Sequence, residues 1–190
     1  MGRTLFVGDI HGCAREFDKL LRAARPSRVI LVGDLFCKGP DPGGVWKLIK
    51  RWDAQAVLGN GDERLLREGH VRIPKRARHW LDDRPWILRA KRWIAVHAGL
   101  DPLEPKRTRR SQALRLRRFP DDSNPANPHW WSLYRGRRLV VHGHDARVGL
   151  NDRRPWSLGL DTACVKGGAL TGYLLEKDRL ISVQARKPYT

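Results

Sequence analysis

Five short glycine-containing segments, each carrying aspartate, asparagine or histidine, constrain the fold of this chain more than any other feature. They are GDIHG (8–12), GDLFCKG (33–39), GNGD (59–62), VHAG (96–99) and HGH (142–144). The first four follow short apolar runs, at 4–7, 29–32, 56–58 and 93–96. Such runs are typical of buried strands, and open α/β sheets build their sites where strands end. The pattern therefore predicts an α/β fold with one polar site at the carboxyl edge of its strands.

The side chains that these segments offer form a set suited to metal binding. Two carboxylates, one amide oxygen and three imidazoles favour a pair of divalent transition metals over magnesium or calcium. The candidate ligands are Asp9, His11, Asp34, Asn60, His97 and His144. For any single Gly-Asp pair, a simple turn after a strand is the common alternative. Five such segments in this order favour the metal site.

A glycine stands just before several of these ligands. Gly8, Gly33 and Gly59 occupy points where a chain leaving a strand must turn sharply. A side chain there would keep the backbone from approaching the metal closely. We therefore expect tight packing around the ligands at these three positions.

The same segments resemble the calcineurin-like metallophosphoesterases, and more narrowly their phosphoprotein-phosphatase-like branch. The likeness runs almost end to end, and the segment GLDTACVKGGALTG (159–172) is what points to this branch. The resemblance implies an α/β fold, a four-layer α/β-β-α metallophosphoesterase sandwich, as a single domain over 1–190. It implies two divalent ions, manganese first, with iron, zinc, cobalt or nickel as alternatives. One ion would be held by Asp9, His11 and Asp34, and the other by Asp34, Asn60, His97 and His144, with Asp34 and Asn60 the catalytic residues.

The chain departs from that family's pattern at the proton donor. The third motif usually places a histidine where this chain has Gly61, and the carboxylate that supports it in some members is Cys37 here. Proton donation typically contributes about 10²- to 10⁴-fold, so poor leaving groups should suffer most from its loss. We therefore expect phosphoanhydride or phosphodiester substrates, with symmetrical cleavage of a bis(5'-nucleosyl)-tetraphosphate as the leading case. The alternatives are a protein Ser/Thr phosphatase, a nucleic-acid end phosphatase or phosphodiesterase, and a polyanion-binding module with a vestigial site.

Three further residues have possible roles near the site. Lys38 stands where the family places a phosphate-gripping arginine, and would hold a phosphate as a point charge. His142 is an extra imidazole that could replace the missing acid, although a buried strand histidine is the more common case. Asp161 could orient a metal-bound histidine, or simply end a strand.

Charge is the second strong signal. The chain has 38 Lys and Arg against 20 Asp and Glu, a net charge of +18. Such a balance indicates a polyanionic partner, so nucleic acid is a possible ligand beside a nucleotide substrate; solvated basic surfaces are the alternative. Basic residues concentrate at 106–118 and 75–78, and the proline- and charge-rich stretch 101–127 is expected to form a mobile or cap-like insertion.

The remaining patterns indicate one soluble, cytoplasmic domain whose oligomeric state stays open. No apolar stretch approaches the length of a membrane span, and no signal-peptide-like segment follows Met1. Three cysteines, Cys13, Cys37 and Cys164, lack metal-binding spacing and are expected to be reduced thiols. Beyond the first four runs, we predict helices at 14–24, 43–52 and 74–81, and strands at 86–88, 139–142, 158–160, 169–175 and 180–183.

Overall fold

The computed structural model describes residues 2–190 and contains two five-stranded mixed sheets. The first sheet consists, in spatial order, of β10 (Arg179–Gln184), β9 (Ala169–Leu174), β1 (Thr4–Val7), β2 (Arg28–Leu31) and β3 (Gln55–Ala56). The second consists of β4 (Ile87–Arg89), β5 (Trp93–Val96), β6 (Leu139–His142), β8 (Ser157–Gly159) and β7 (Asn151–Arg153). Strands β1, β2 and β3 are parallel to one another, as are β5, β6 and β8.

Helices connect and flank the two sheets. They are α1 (Ala14–Ala24), α2 (Pro42–Arg51), α3 (Asn60–Glu68), α4 (Lys75–Asp82), α5 (Arg110–Arg115) and α6 (Trp130–Leu133). Asp41 caps α2, because its carboxylate accepts the Gly44 amide at 2.7 Å. Short 3₁₀ turns lie at Pro105–Arg107, Cys164–Lys166 and Leu175–Lys177.

Alternating side chains along the strands separate three hydrophobic layers. In β1, Leu5 and Val7 pack against helices α1 and α2, whereas Phe6 faces the second sheet and meets Trp93 edge-on at 5.1 Å. In β5, Trp93 faces the first sheet, and Ile94 faces the outer layer that contains Trp130. The order helix, sheet, sheet, helix confirms the predicted four-layer sandwich.

Helices α3, α5 and α6 and strand β7 escaped sequence reasoning. Helix α3 begins at Asn60, inside a Gly-Asn-Gly stretch whose composition is typical of turns. The Asp62 carboxylate accepts the Gly59 amide at 3.2 Å and the Leu35 amide at 2.9 Å, so it caps this helix and ties it to the loop after β2. Strand β7 is short, polar and at a sheet edge, which gives it no apolar alternation to detect.

The stretch 101–127 carries packed structure that its weak periodicity concealed. It contains helix α5, whose Ala113 and Leu114 are fully buried. The Ala98 amide donates to the Ala113 carbonyl at 2.8 Å, which joins this stretch to the end of β5. A cap-like role for its basic residues stays a prediction.

Two further features concern membrane-spanning helices and the cysteines. Within residues 2–190, no helix has the length and apolar character that a membrane span requires. All three cysteines are free and buried.

Candidate active site

The six predicted ligands converge at one edge of the molecule, in loops that follow strands of both sheets. Asp9 and His11 follow β1, Asp34 follows β2, Asn60 begins α3, His97 follows β5, and His144 follows β6. The Gly143 amide donates to the His97 carbonyl at 2.9 Å, which fixes the last two loops to each other. Parallel strand pairing within each sheet, and packing of the sheets on each other, thus bring together residues far apart in the chain.

Asp34 lies at the centre of this arrangement. Its Oδ2 is 3.6 Å from His11 Nε2, and its Oδ1 is 3.6 Å from His97 Nε2. His11 Nε2 also lies 4.0 Å from Asp9 Oδ2. The two carboxylate oxygens of Asp34 therefore face two different groups of donor atoms, which is the geometry that a bridging ligand needs.

Asn60 joins the second group. Its Oδ1 lies 2.8 Å from His97 Nε2 and 2.9 Å from His144 Nδ1. His97 Nδ1 lies 2.9 Å from the Val32 carbonyl, which can only accept a hydrogen bond, so the proton of a neutral His97 ring belongs on Nδ1. The Nε2 lone pair then faces the Asn60 oxygen, itself an acceptor. Such opposed acceptors are satisfied by a cation, so the donor set fits a metal ion.

The protonation states of the buried groups also fit a metal ion. Burial lowers the pKa of His11 to about 4 and that of His144 to about 2, so both rings are neutral at pH 7. Neutral imidazole is the form that binds metals. Burial, with the nearby Asp161 and Asp34 carboxylates, raises the pKa of Asp9 well above its ordinary value. Burial acts in the same direction on Asp34, but His97 and His11 outweigh it and lower its pKa. The site thus holds crowded carboxylates beside the neutral imidazoles of His11 and His144.

The backbone is strained at three of the six ligands. His11, Asp34 and His144 have φ values of 47°, 53° and 73°, in the left-handed region that non-glycine residues rarely adopt. Each such residue costs of order 1–3 kcal/mol, and such residues cluster at functional sites. The fold maintains this strain at the positions that present the donor atoms.

The glycines beside the ligands are packed as tightly as expected. A Cβ at Gly59 would lie 2.3 Å from both the amide nitrogen and Oδ1 of Asp34. Gly33 has a φ of 100°, which side chains strongly disfavour. Close backbone approach and an unusual turn therefore explain these two glycines.

The two positions that depart from the family's pattern touch each other. Cys37 is fully buried, and its thiol lies 3.0 Å from the Gly61 carbonyl oxygen. Burial, and then the Asp62 and Asp34 charges, raise the pKa of the Cys37 thiol far above its usual value, so it stays protonated and can donate to that carbonyl. Cys37 and Gly61 are therefore in direct contact through this hydrogen bond.

A polar cleft of about 330 Å³ opens over the candidate ligands. Lys38 lies in it, with Nζ 3.4 Å from His11 Nε2. Three other cations line it: Arg117, Arg147 and Lys166. Arg117 belongs to a basic cluster that the sequence singles out, and Lys166 lies in the 159–172 segment, but sequence reasoning gave neither Arg147 nor Lys166 a role in the site. Their placement depends on tertiary structure alone.

His142 and Asp161 have the surroundings of the simpler alternatives that the sequence offered, a buried strand histidine and a residue that ends a strand. His142 is a buried residue of β6 that packs edge-on against Trp130 at 5.0 Å and does not line the cleft. Asp161 lines the cleft and raises the pKa of Asp9, but its Oδ1 accepts the Ala163 amide at 3.1 Å. The His97 ring is oriented by the Val32 carbonyl rather than by a carboxylate.

Ion pairs neutralise much of the basic cluster at 106–118. The Glu63 carboxylate contacts Arg110 and Arg115. Arg117 lies 3.6 Å from Asp145 and from Asp122. The cluster therefore supplies the cleft with Arg117, while Arg110 and Arg115 fasten α5 to α3.

A second group of metal-capable side chains lies beneath the site. The ligand atoms of Cys13, Glu16 and Cys164 lie within 4.8 Å of one another, all buried. Cys13 follows the His11 loop and Cys164 follows Asp161, so the group joins the two ends of the chain near the cleft. Their wide spacing in sequence concealed this proximity.

Comparison with known proteins identifies the chain's relatives. Residues 2–174 match the family described as calcineurin-like phosphoesterase. A crystal structure described as a "putative diadenosine tetraphosphatase" is 36% identical, with a TM-score of 0.90 over 97% of this chain and 94% of that one. The asymmetrical bis(5'-nucleosyl)-tetraphosphatase PrpE of Oceanobacillus iheyensis is 25% identical over 96% of this chain and 92% of its own length.

A symmetrical bis(5'-nucleosyl)-tetraphosphatase, from Mannheimia succiniciproducens, is 35% identical over 52% of this chain. The match spans 45% of that relative, so this chain corresponds to less than half of its length. The family match, by contrast, covers most of the chain and includes every candidate ligand. This protein belongs to the calcineurin-like phosphoesterase family and is a phosphoesterase hydrolase.

Proposed function

We propose that this protein is a dinuclear metal-dependent hydrolase of bis(5'-nucleosyl)-tetraphosphates. The observation that carries the proposal is the position of Asp34, whose two oxygens face His11 on one side and His97 on the other at 3.6 Å each. One ion would be held by Asp9, His11 and Asp34, and a second by Asp34, Asn60, His97 and His144. When bound, two such ions supply the charge that activates water and neutralises phosphate oxygens. Manganese is the leading candidate.

The cations of the cleft support a polyphosphate substrate. Lys38 and Lys166 make no ion pair within residues 2–190, so both are available to phosphate oxygens. Arg117 and Arg147 share Asp145 and can hold further phosphates as bidentate donors. A chain of four phosphates matches this distribution of charge better than a single phosphoserine does.

The space beside the cleft supports an extended ligand. A hollow of about 700 Å³ adjoins the cleft and shares Arg117, Asp145 and Arg147 with it. His129, stacked on Trp131 at 4.7 Å, lines this hollow and offers an aromatic surface at its margin. The combined volume accommodates a nucleoside beyond the phosphates.

The lack of a proton-donating side chain at Gly61 supports hydrolysis of a phosphoanhydride bond rather than of a phosphoserine ester. An anhydride releases a nucleotide phosphate, which is a stable anion and needs little protonation as it departs. A protein Ser/Thr phosphatase must expel an alkoxide, for which the acid missing at Gly61 would be needed. The named relatives include tetraphosphatases of both cleavage types. We propose symmetrical cleavage, because the symmetrical relative has the higher identity over its matched region.

Product analysis tests the proposal directly. Diadenosine tetraphosphate incubated with the manganese-loaded enzyme should give two molecules of ADP, separated by anion-exchange chromatography. Equal amounts of ATP and AMP would establish asymmetrical cleavage. Failure to hydrolyse the dinucleotide, with rapid hydrolysis of a phosphoserine peptide, would refute the assigned substrate class.

A further inference from the structure

A second concentration of positive charge lies at the amino edge of the second sheet, away from the candidate ligands. The turn before β5 reads RAKR (89–92), and the segment before β6 reads RGRR (135–138). Parallel pairing places Trp93 beside Leu139, and the Leu139 amide donates to the Arg92 carbonyl at 3.1 Å. Two basic segments far apart in sequence therefore lie side by side. We call them the amino-edge cluster: Arg89, Lys91, Arg92, Arg135, Arg137 and Arg138, all exposed.

The charges of this cluster are not compensated. Throughout residues 2–190, no carboxylate forms an ion pair with any of its six side chains. Burial and the neighbouring Arg138 charge lower the pKa of Arg89, as expected where like charges are crowded. The cluster at 106–118 differs, because Glu104, Glu63, Asp122 and Asp145 form ion pairs with four of its arginines. The amino edge is thus a surface where bound anions would relieve repulsion.

The surface has a defined shape. A hollow of about 580 Å³ is lined by Lys91, Arg92, Arg137 and Arg154. Arg154 is fixed there by Asp152 and Asp178, and its guanidinium lies 5.3 Å from the Tyr173 ring centroid. The cations without ion-pair partners, Lys91, Arg92 and Arg137, therefore surround a hollow in which Arg154 is already held in place.

We propose that the amino-edge cluster binds the phosphodiester backbone of a nucleic acid. Five of its six members are arginines, whose planar guanidinium groups bind phosphate oxygens in pairs. Six cations spread over two adjacent segments exceed what one phosphate can neutralise, whereas successive phosphates of a strand can meet them in turn.

An anionic membrane surface fits the cluster less well. Among residues 2–190, the exposed large apolar side chains are Leu103, Leu133, Val148 and Leu150, and none of them lines the hollow. The surface therefore lacks the apolar anchors that accompany basic residues in membrane-binding segments.

The binding surface is separate from the cleft. Arg92 precedes β5 and His97 follows it, so about 16 Å of strand lies between them at roughly 3.3 Å per residue. A nucleic acid bound at the amino edge would leave the candidate ligands free. The inference therefore does not depend on the proposed function.

Fluorescence anisotropy of a labelled oligouridylate, measured in EDTA over a series of KCl concentrations, tests this proposal. The variant K91Q/R92Q/R137Q/R138Q removes four charges of the cluster. The control R15Q/K19Q/K47Q/R51Q removes four exposed charges from α1 and α2, none of them in an ion pair. Removing four phosphate contacts should reduce the slope of log K against log salt by about 3 and weaken binding at least tenfold. The control should keep the wild-type slope to within about one contact.

Three outcomes would overturn the proposal. The two variants could lose affinity equally, which would mean that only net charge matters. The cluster variant could bind like the wild type. Finally, binding to phosphatidylserine vesicles could require the cluster while binding to the oligonucleotide does not. That result would assign the surface to membranes. The double variant K91Q/R137Q provides a milder test, because it should show half the change in the slope of log K against log salt. Unchanged turnover of bis(p-nitrophenyl) phosphate verifies that each variant is folded.

Discussion

The backbone amide of Gly61 donates a 2.7 Å hydrogen bond to Oδ1 of Asp34, the carboxylate that faces both groups of imidazoles. A Cβ on Gly61 would lie 2.9 Å from that same oxygen and 3.0 Å from Oδ2. The absence of a side chain at position 61 and the position of Asp34 are therefore linked. Gly61, which stands where the family usually has its proton-donating histidine, therefore also leaves room for the Asp34 carboxylate.

Substituting Gly61 by alanine should weaken metal binding. The added methyl group would press on Asp34 and displace the oxygens that face His11 and His97, so we expect manganese affinity to fall about tenfold or more, equivalent to roughly 1.4 kcal/mol. Isothermal titration of the EDTA-stripped protein measures this. Gly43→Ala is the matched control, since a Cβ there would approach nothing nearer than 3.7 Å. Equal affinities of the two variants would show that Gly61 does not position Asp34.

The rate of hydrolysis should depend steeply on the leaving group. Without a histidine at position 61, nucleotide anhydrides and aryl diesters should exceed phosphoserine peptides and alkyl monoesters by about 10²- to 10⁴-fold in kcat/KM. A series of substituted phenyl esters, with kcat/KM plotted against leaving-group pKa, provides the slope. A flat plot would mean that another residue donates the proton.

His142 should not be that residue. It is buried against Trp130 and does not line the cleft. Burial lowers its pKa to about 4, so near pH 7 the ring is neutral and is not in the imidazolium form that acts as a general acid. We expect His142→Gln to retain the wild-type pH profile of kcat/KM between pH 5 and 8, even if stability falls. Loss of an ionisation from that profile would assign a catalytic role to His142.

Of two arginines in the 106–118 cluster, only Arg117 should affect substrate binding. Arg117 lines the cleft, whereas Arg110 contacts Glu63 on α3. Arg117→Gln should raise KM for diadenosine tetraphosphate about tenfold, a change of about 1.4 kcal/mol, with little change in kcat. Arg110→Gln should leave KM unchanged. Equal effects on KM would assign the basic residues of 106–118 a general electrostatic role.

Lys38 should bind phosphate through its charge. It lies in the cleft with Nζ 3.4 Å from His11 Nε2, and arginine at this position retains the charge. We expect Lys38→Arg to keep most of the wild-type kcat/KM and Lys38→Gln to lose about tenfold or more. If steady-state kinetics show the two variants to be equally impaired, the compact ammonium group itself is required.

The sequence was sufficient to predict the four-layer fold and the six side chains that converge. The four-layer fold came from the resemblance to a known family, whereas the ligands came from local patterns, because each directly follows a buried apolar run or stands in a glycine-rich motif. Helix α3 was missed because its first turn consists of Gly-Asn-Gly residues, which are typical of loops, and its capping carboxylate Asp62 also bonds Leu35. Local preference was overridden there by tertiary contacts.

Charge was harder to interpret from the sequence. The basic cluster at 106–118 includes Arg110 and Arg115, which both form ion pairs with one distant carboxylate, Glu63. The amino-edge cluster exists only because β5 and β6 pair in parallel. Arg147 reaches the cleft from a loop without a motif, and Lys166 reaches it from the 159–172 segment, where its spacing gave no sign of such a role. Strand pairing and ion pairs between distant residues determine these features, and neither can be derived from residue spacing.

The central claim, a pair of metal ions bridged by Asp34, is tested most directly by metal titration. Isothermal titration of EDTA-stripped wild-type protein with manganese should give two ions per chain, and Asp34→Asn should bind fewer than two while keeping the wild-type circular dichroism spectrum. The account would be contradicted if the wild type bound only one ion or none, or if Asp34→Asn bound two ions with unchanged affinity.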